Sequence, residues 1–329
     1  MKAVAVLSPE KAWRYGIAGK SGAPVSPDPV LFDRKLLRAR RIRALRLGAA
    51  DFLLEHIAAE LADRLSAVMR TFDLVADIGT PGAAVRRVLR ERGLAGRIIA
   101  LDSLLPQPPG DGAVVADEEA LPFVDAALPL AVSALSLQFV NDLPGTLIQI
   151  RRALKPDGLF LCAMAGGDTL TELRQSFAAA EADIEGGVSP HVAPFADVRD
   201  LGALLQRAGF ALPVTDSDRL TVRYADAFAL MHDLRRMAAT NVLYERRRQP
   251  LRRATLLRMA EIYAQRFSDA DGRVRATFEI VWLSGWAPHE SQQKPLRPGS
   301  ARSRLADALG VPEIPAGEKA GRQSIIRSD

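Results

Sequence analysis

A single cysteine, Cys162, among 329 residues excludes an intramolecular disulfide and any cluster of thiolates around a metal. It lies in the apolar run that begins Leu159-Phe160-Leu161 and reads as a buried strand residue rather than a nucleophile. No apolar run reaches the roughly 18 residues needed to span a bilayer. The N-terminus (MKAVAVLSPEKAWRYG) has a short apolar stretch broken by Pro9, Glu10 and Lys11, which is not a signal-peptide core. Residues 1–28 nearly lack acids, a pattern that fits a disordered bacterial tail better than an organellar presequence. The four histidines form no His-x-Asp/Glu pair and no His-x-x-x-His, so a two-histidine, one-carboxylate iron site is not legible and no metal site is expected. A Gly-x-Ser-x-Gly elbow is also missing, which argues against a hydrolase. Aromatics make up only 6%. The base-rich stretches 38–46 and 246–253 and the C-terminal tail lack the interleaved rings of a stacking platform. The net charge of +5 therefore reads as solvated arginine faces rather than a nucleic-acid site.

Helical periodicity dominates residues 31–70, where Leu36, Leu37, Ala44 and Leu45, then Phe52, Leu53, Ile57, Leu61 and Leu65, recur at three- and four-residue spacing. Asp51 is placed to cap the second of these helices. From Phe72 the pattern switches to short apolar strands alternating with helices. Strands are expected at 74–78, 97–101, 113–115, 128–133 and 159–163, and helices at 83–91, 143–154, 170–182 and 198–208. This alternation predicts an α/β fold with a parallel sheet covered on both faces. Leu154-Lys-Pro-Asp-Gly158 fits a helix end, a tight turn and re-entry into a strand. Strand pieces at 212–214 and 220–224 would flank an Asp-Ser-Asp turn. Helices at 225–239 and 253–267 would then form a lid over the carboxyl edge of the sheet before a last strand at 277–286. The domain reading is a flexible tail over 1–30, one domain over 31–290 and a polar, disordered tail over 291–329. Within the domain, N-terminal helices cover 31–70, a nucleotide-binding core 71–215, and a lid with the final strands 216–290.

Candidate site residues follow from the rule that open parallel sheets bind ligands at the carboxyl ends of their strands. Phe72-Asp-Leu-Val-Ala-Asp-Ile-Gly-Thr-Pro-Gly-Ala-Ala-Val85 is a strand ending on Asp77 and Gly79 before a helix, a layout that lets backbone N–H groups approach a ligand. Asp102 ends the second strand, where a carboxylate suits a ribose diol. Asp117, with Glu118 beside it, follows the third strand and could hold an adenine amino group. After the fourth strand, Ser136, Gln138, Asn141 and Asp142 could face a cofactor's reactive end, although helix capping is the stronger reading for the last two. Asp168 likewise reads as a cap, with Glu172 in the first turn. His191 lies in a Gly/Pro-rich loop, where functional groups concentrate; His289, after the last strand, could orient the tail.

The glycine segment resembles the loop of S-adenosylmethionine (SAM) methyltransferases, acidic-x-Gly-x-Gly-x-Gly, in eroded form. Only Gly79 is in register, Pro81 and Ala83 replace the next two glycines, and Gly82 is displaced. Asp117-Glu-Glu-Ala-Leu-Pro-Phe123, Leu135-Ser-Leu-Gln-Phe-Val-Asn-Asp-Leu-Pro144 and Leu154-Lys-Pro-Asp-Gly158 resemble further landmarks of the class I enzymes. Phe32-Asp-Arg34, Gly166-Gly-Asp-Thr-Leu-Thr-Glu-Leu-Arg174, Glu185-Gly-Gly-Val-Ser-Pro-His-Val-Ala-Pro-Phe195 and Gly285-Trp-Ala-Pro-His-Glu-Ser-Gln292 are similar to a narrower family, the assembly factors of respiratory complex I. The mitochondrial member of that family is a protein arginine hydroxylase, and malonyl-carrier-protein methyltransferase is a more distant relative.

The resemblance implies a Rossmann-like class I fold with a mostly parallel seven-stranded sheet, a lid inserted before the last strand, SAM as cofactor, and action on an arginine of a complex I subunit. Carried over by position, cofactor residues are Asp77, Gly79, Asp102 and Asp117, joined by Glu118 and Ser136 from the reading of the strand ends. Gln138 and His191 are the catalytic candidates. Gln138 stands where the family commonly has histidine, so a role requiring a titrating imidazole is lost there. Hydroxylation would need an oxidant, for which the sequence displays no ligand set. Three readings stay open: a SAM-dependent enzyme acting on protein, a non-catalytic assembly factor whose cofactor loop has decayed, and a methyltransferase of small or carrier-bound acids. The implied location is the bacterial cytoplasm, peripheral to the inner membrane, or the mitochondrial matrix in a eukaryote.

Overall fold

A computed structural model describes residues 30–105, 112–293 and 310. Of the expected tails over 1–30 and 291–329, only residues 30, 291–293 and 310 are among the described residues. Two compact units divide after Pro288, and every helix and strand named below belongs to the first. In the second, His289 Nδ1 meets Ser291 Oγ at 2.7 Å in a short turn.

Seven strands form one sheet: β1 (Phe72–Ile78), β2 (Ala95–Asp102), β3 (Ala113–Val115), β4 (Leu128–Ala134), β5 (Leu154–Ala165), β6 (Ala211–Tyr224) and β7 (Val274–Trp286). Their order is β3-β2-β1-β4-β5-β7-β6. Pairings are parallel from β3 through β5, while β7 runs antiparallel to both β5 and β6. The apolar runs of the central strands β1 and β4 are buried on both faces, as a covered parallel sheet requires, with Val75, Ala76, Leu130, Ala131 and Val132 showing no exposed surface, while the outer strand β3 is partly exposed. Helices α2 (Phe52–Ala67), α3 (Ala84–Glu91), α5 (Thr171–Glu185), α7 (Ala227–Arg236) and α8 (Arg253–Phe267) share one core with the sheet. The other face is covered by α4 (Leu143–Ala153) and α6 (Val198–Arg207). Strand order reverses between β1 and β4, so the carboxyl ends of β1, β2 and β4 open onto the crevice where such sheets bind ligands.

The first helix, α1 (Arg34–Leu47), begins at Asp33, whose carboxylate accepts from Leu36 N at 2.9 Å, and ends at Gly48 with φ +78°. The residues before it pair with the segment after α7: Asp33 N donates to Val242 O at 2.8 Å and Tyr244 N to Leu31 O at 2.8 Å. The lid is therefore a joint structure of α1, α7 and residues 237–251.

Five local expectations are corrected. The Asp-Ser-Asp turn does not exist, because β6 runs unbroken through Asp216, Ser217 and Asp218, opposite Trp282, Val281 and Ile280. Arg64 pairs with both carboxylates, and Asp218 also accepts from the Trp282 indole at 2.8 Å, so the polar triplet is satisfied within a strand. Asp51 stands at the start of α2 without a side-chain capping bond. Asp168 does not cap α5; its carboxylate pairs with Arg219, and the helix starts after Leu170 in the left-handed conformation (φ +57°). The helix expected over 225–239 is shorter, since Asp226 caps it through Ala229 N at 2.7 Å and Ala238 turns left-handed beyond its end. At 154–158 the turn is a bulge within β5: Leu154 pairs with Leu128 and Leu159 with Leu130.

Candidate functional site at the carboxyl edge of the sheet

Gly79 leaves β1 at φ +72°, and its N–H donates to Leu101 O at 2.6 Å. A Cβ here would lie 2.8 Å from Glu118 Cγ and closer still to Ser136 Oγ, so only glycine lets these two side chains close over the loop. Thr80 Oγ1 accepts from Ala134 N at 3.0 Å, and Ser133 Oγ donates to Ile78 O at 2.7 Å, tying the loop to β4. Pro81 contributes no backbone donor. Gly82, one position away from the usual register, takes φ +75° and completes the turn into α3.

The acids divide into two groups. Asp77 is buried beneath the loop, where its Oδ2 meets Arg86 Nη1 of α3 at 3.0 Å and its Oδ1 has no hydrogen-bond partner. Burial pushes its carboxyl above the ordinary value, with Arg86 pulling the other way. Asp77 pairs with Arg86 rather than with the arginines that hold Asp102 and Glu118, and of the cofactor candidates only Asp102 lines the cleft. Asp102, Glu118 and Ser136 do come together beside Gly79. Asp102 lines the cleft, receives Leu104 N on Oδ1 at 3.0 Å and Arg41 Nη2 on Oδ2 at 2.5 Å, and has its carboxyl pushed up by burial. Glu118 is buried, accepts from Ser136 Oγ at 3.3 Å and pairs with Arg34. Asp117 is half-exposed and also meets Arg34, at 2.8 Å.

Arg34 and Arg41 were not among the sequence candidates. They stand seven positions apart, two helical turns, and so share the inward face of α1. Their side chains are only 18% and 12% exposed, so Arg41 departs from the reading of 38–46 as a solvated arginine face, whereas Arg38, Arg43 and Arg46 are exposed as that reading expects. The visible signal was that repeat of seven; what it faced was not visible.

Arg41 and Asp102 border a cleft of about 810 Å³ whose walls come from α1, the loop 81–84, the β4 end, the loop before α6 and residues 237–251. Gln138 and His191, the two catalytic candidates, line it from different sides. Gln138 Oε1 is buried without a hydrogen-bond partner, an unsatisfied acceptor on a residue of the cleft wall. His191 stacks on Phe177, with ring centroids 4.0 Å apart and planes 13° apart. Its Nε2 lies 2.8 Å from Glu181 Oε1, the partner that favours a proton on Nε2 and leaves Nδ1 as the acceptor. Glu181 is buried; burial would raise its carboxyl, but bonds from His191 and Ser189 outweigh that and hold it below the ordinary value. Ser189 serves it twice, through N at 2.6 Å and Oγ at 2.7 Å. Glu181 escaped the sequence reading because a carboxylate ten positions upstream, on α5, carries no local mark. Asn141 and Asp142 have structural roles: Asn141 clasps Phe32 through both amide atoms, and Asp142 caps α4 through Gly145 N at 2.7 Å. Among the described residues no three His, Cys, Asp or Glu side chains converge as a metal-ligand group. No described helix is long and apolar enough to cross a membrane.

Comparison with known proteins adds three findings. A family model described as a methyltransferase domain matches residues 76–162, from the Asp77 loop to Cys162. The mitochondrial arginine-hydroxylase NDUFAF5 of Danio rerio is 40% identical over 294 residues, covering 86% of this chain and 91% of that protein, and the Rattus norvegicus protein is 39% identical over 314 residues, covering 92% and 91%. A malonyl-[acyl-carrier protein] O-methyltransferase of Xylella fastidiosa is 32% identical over 276 residues, covering 78% and 89%. Among solved structures, a Burkholderia thailandensis 1,6-didemethyltoxoflavin-N1-methyltransferase overlaps 82% of this chain and 94% of its own, at 16% identity and a TM-score of 0.45.

Proposed function

Because this chain belongs to the methyltransferase-fold family of arginine-hydroxylase NDUFAF5, we propose that it is a SAM-binding enzyme that modifies an arginine of a protein substrate during assembly of respiratory complex I. The observation that carries the reading is the meeting of Glu118 with Gly79, and of Glu118 with Asp102 through Arg41, at one end of the sheet in a chain 40% identical to such a relative over 294 residues.

The donor set fits the cofactor in type. Asp102 would accept from the ribose diol, Glu118 or Asp117 from the adenine amino group, and the backbone from Gly79 to Ala84 would flank the remainder. Arg41 already holds one Asp102 oxygen, so a ribose would share that carboxylate with it. SAM bound there would supply an electrophilic methyl group. The chain itself would supply orientation: Gln138 Oε1 is an unsatisfied acceptor for an N–H of a guanidinium, and His191, steadied by Glu181 and Phe177, offers Nδ1 to an acceptor proton. By analogy with its relatives the protein would work in the bacterial cytoplasm or mitochondrial matrix, at the surface of the inner membrane.

One observation favours a second reading, a non-catalytic assembly factor: Arg34 and Arg41 neutralise the very acids a cofactor would use. Calorimetric titration with SAM and with S-adenosylhomocysteine separates the two. Micromolar binding of both, followed by mass spectrometry of complex I subunits for an added methyl group or oxygen on arginine, supports the enzyme. No binding at millimolar ligand by folded protein overturns it.

A further inference from the structure

Four of the arginines around the cleft make no ion pair among the described residues. Arg40 donates only to neutral oxygens, Thr240 Oγ1 at 2.5 Å and Asn241 O at 2.6 Å, although it is half-buried and lies close to Arg43 and Arg246. Arg43 and Arg235 are exposed, with no carboxylate within salt-bridge reach among the described residues, and Arg248 lies 5.8 Å over the Tyr244 ring and feels the Asp33 carboxylate without forming an ion pair with it. All four line the cleft. Their neighbours differ: Arg246 is paired with Asp33 at 3.2 Å and Arg247 with Glu185. Asp33, already paired with Arg246, is the one carboxylate among the described residues whose field reaches Arg40 and Arg248, so positive charge on this rim exceeds its counter-charge and the half-buried Arg40 gains from a ligand that supplies more.

A rim of this kind repels a cationic side chain entering alone. We propose that it docks an acidic peptide segment of the protein substrate, whose carboxylates meet Arg40, Arg43, Arg235 and Arg248 while the target arginine passes into the cleft. The inference rests on the functional reading above and extends it to the sequence around the target. A peptide fits better than a membrane surface because these arginines border a concave cleft rather than a convex patch. Leu45 and Leu105, 51% and 53% exposed on the same wall, add apolar contact for a chain laid across it. Arginine beside apolar side chains is the composition of protein-binding surfaces.

The test is fluorescence anisotropy on the full chain with a labelled peptide carrying a central arginine flanked by aspartate and glutamate, against the same peptide with asparagine and glutamine. The acidic peptide should bind at least about tenfold more tightly, and weaken steeply with salt. The double variant R43E/R235E, with its melting temperature checked, should lose about tenfold. R97E/R207E, the same charge change at exposed positions off the cleft, should lose little. Equal loss in both variants, or equal affinity for the neutral peptide, would overturn the proposal. So would binding confined to anionic phosphatidylglycerol vesicles and abolished by R43E/R235E. Since the readout is binding, a failure to modify the central arginine under turnover conditions would count against the functional reading and leave the docking result standing.

Discussion

Replacing Arg86 by methionine tests the foundation of the loop. Arg86 and Asp77 are 6% and 1% exposed and meet at 3.0 Å, so the variant leaves a carboxylate in a nearly dry site. Removing one partner of a buried pair costs about 3–5 kcal/mol, because the remaining charge keeps its desolvation penalty. For a unit of this size that corresponds to a melting temperature lower by about 6–10 °C. The cost depends on pH with a definite sign. Burial already holds the Asp77 carboxyl above its ordinary value, and loss of Arg86 raises it further. A carboxyl whose folded-state value exceeds its unfolded one contributes stability at low pH and loses it as pH rises through the folded value. The R86M deficit should therefore be largest at the alkaline end and shrink as pH falls through the raised folded-state value of Asp77. The double variant D77N/R86M should recover part of the loss and flatten the pH dependence. Urea unfolding of the three variants between about pH 5 and 8 provides the measurement. A deficit under about 1 kcal/mol, or one that is equal at both ends of the range, would refute the reasoning.

Other substitutions probe the site directly. Gly79→Ala should cost about 1–2 kcal/mol from the left-handed backbone alone, and more from displacing Ser136 and Glu118. Gly82→Ala, whose Cβ would find only Leu54 at 3.7 Å, should cost the backbone term only; equal losses in denaturation would contradict the crowding at Gly79. Cys162 is buried and its thiol is pushed well above its ordinary value, so iodoacetamide should label it only after unfolding, with rapid native labelling the contrary result. In a turnover assay H191A should lose about a hundredfold or more, and E181Q should lose less while shifting the pH profile; an unchanged profile would remove Glu181 as the positioning partner. Because Glu181 is held below its ordinary value, its stabilising contribution is present above the ordinary carboxylate range and lost as pH falls through the folded value, which a pH series of E181Q against the parent will read.

The order of strands and helices was legible because period-two and period-3.6 patterns survive in the linear chain: β3 and α8 run over the predicted residues, and Asp142 caps α4 as its position suggested. The Asp-Ser-Asp triplet misled because turn propensity is local, whereas the pairing of β6 with β7 and the counter-charge of Arg64 are not. The site was legible only in part, for the same reason. Strand ends identify themselves, so Gly79, Asp102 and Glu118 were found where they meet.

The sequence by itself determined the alternating α/β architecture, the strand-end acids, the altered glycine loop and the absence of disulfides, since each follows from residue type and spacing along one segment. Only the tertiary structure decided that Asp77 lies beneath the loop against Arg86, that Arg34 and Arg41 turn inward onto Asp102 and Glu118, and that Glu181 holds His191. Those pairings join residues 9 to 84 positions apart, and the strength of a charge pair depends on separation and burial in space, neither of which a linear pattern encodes.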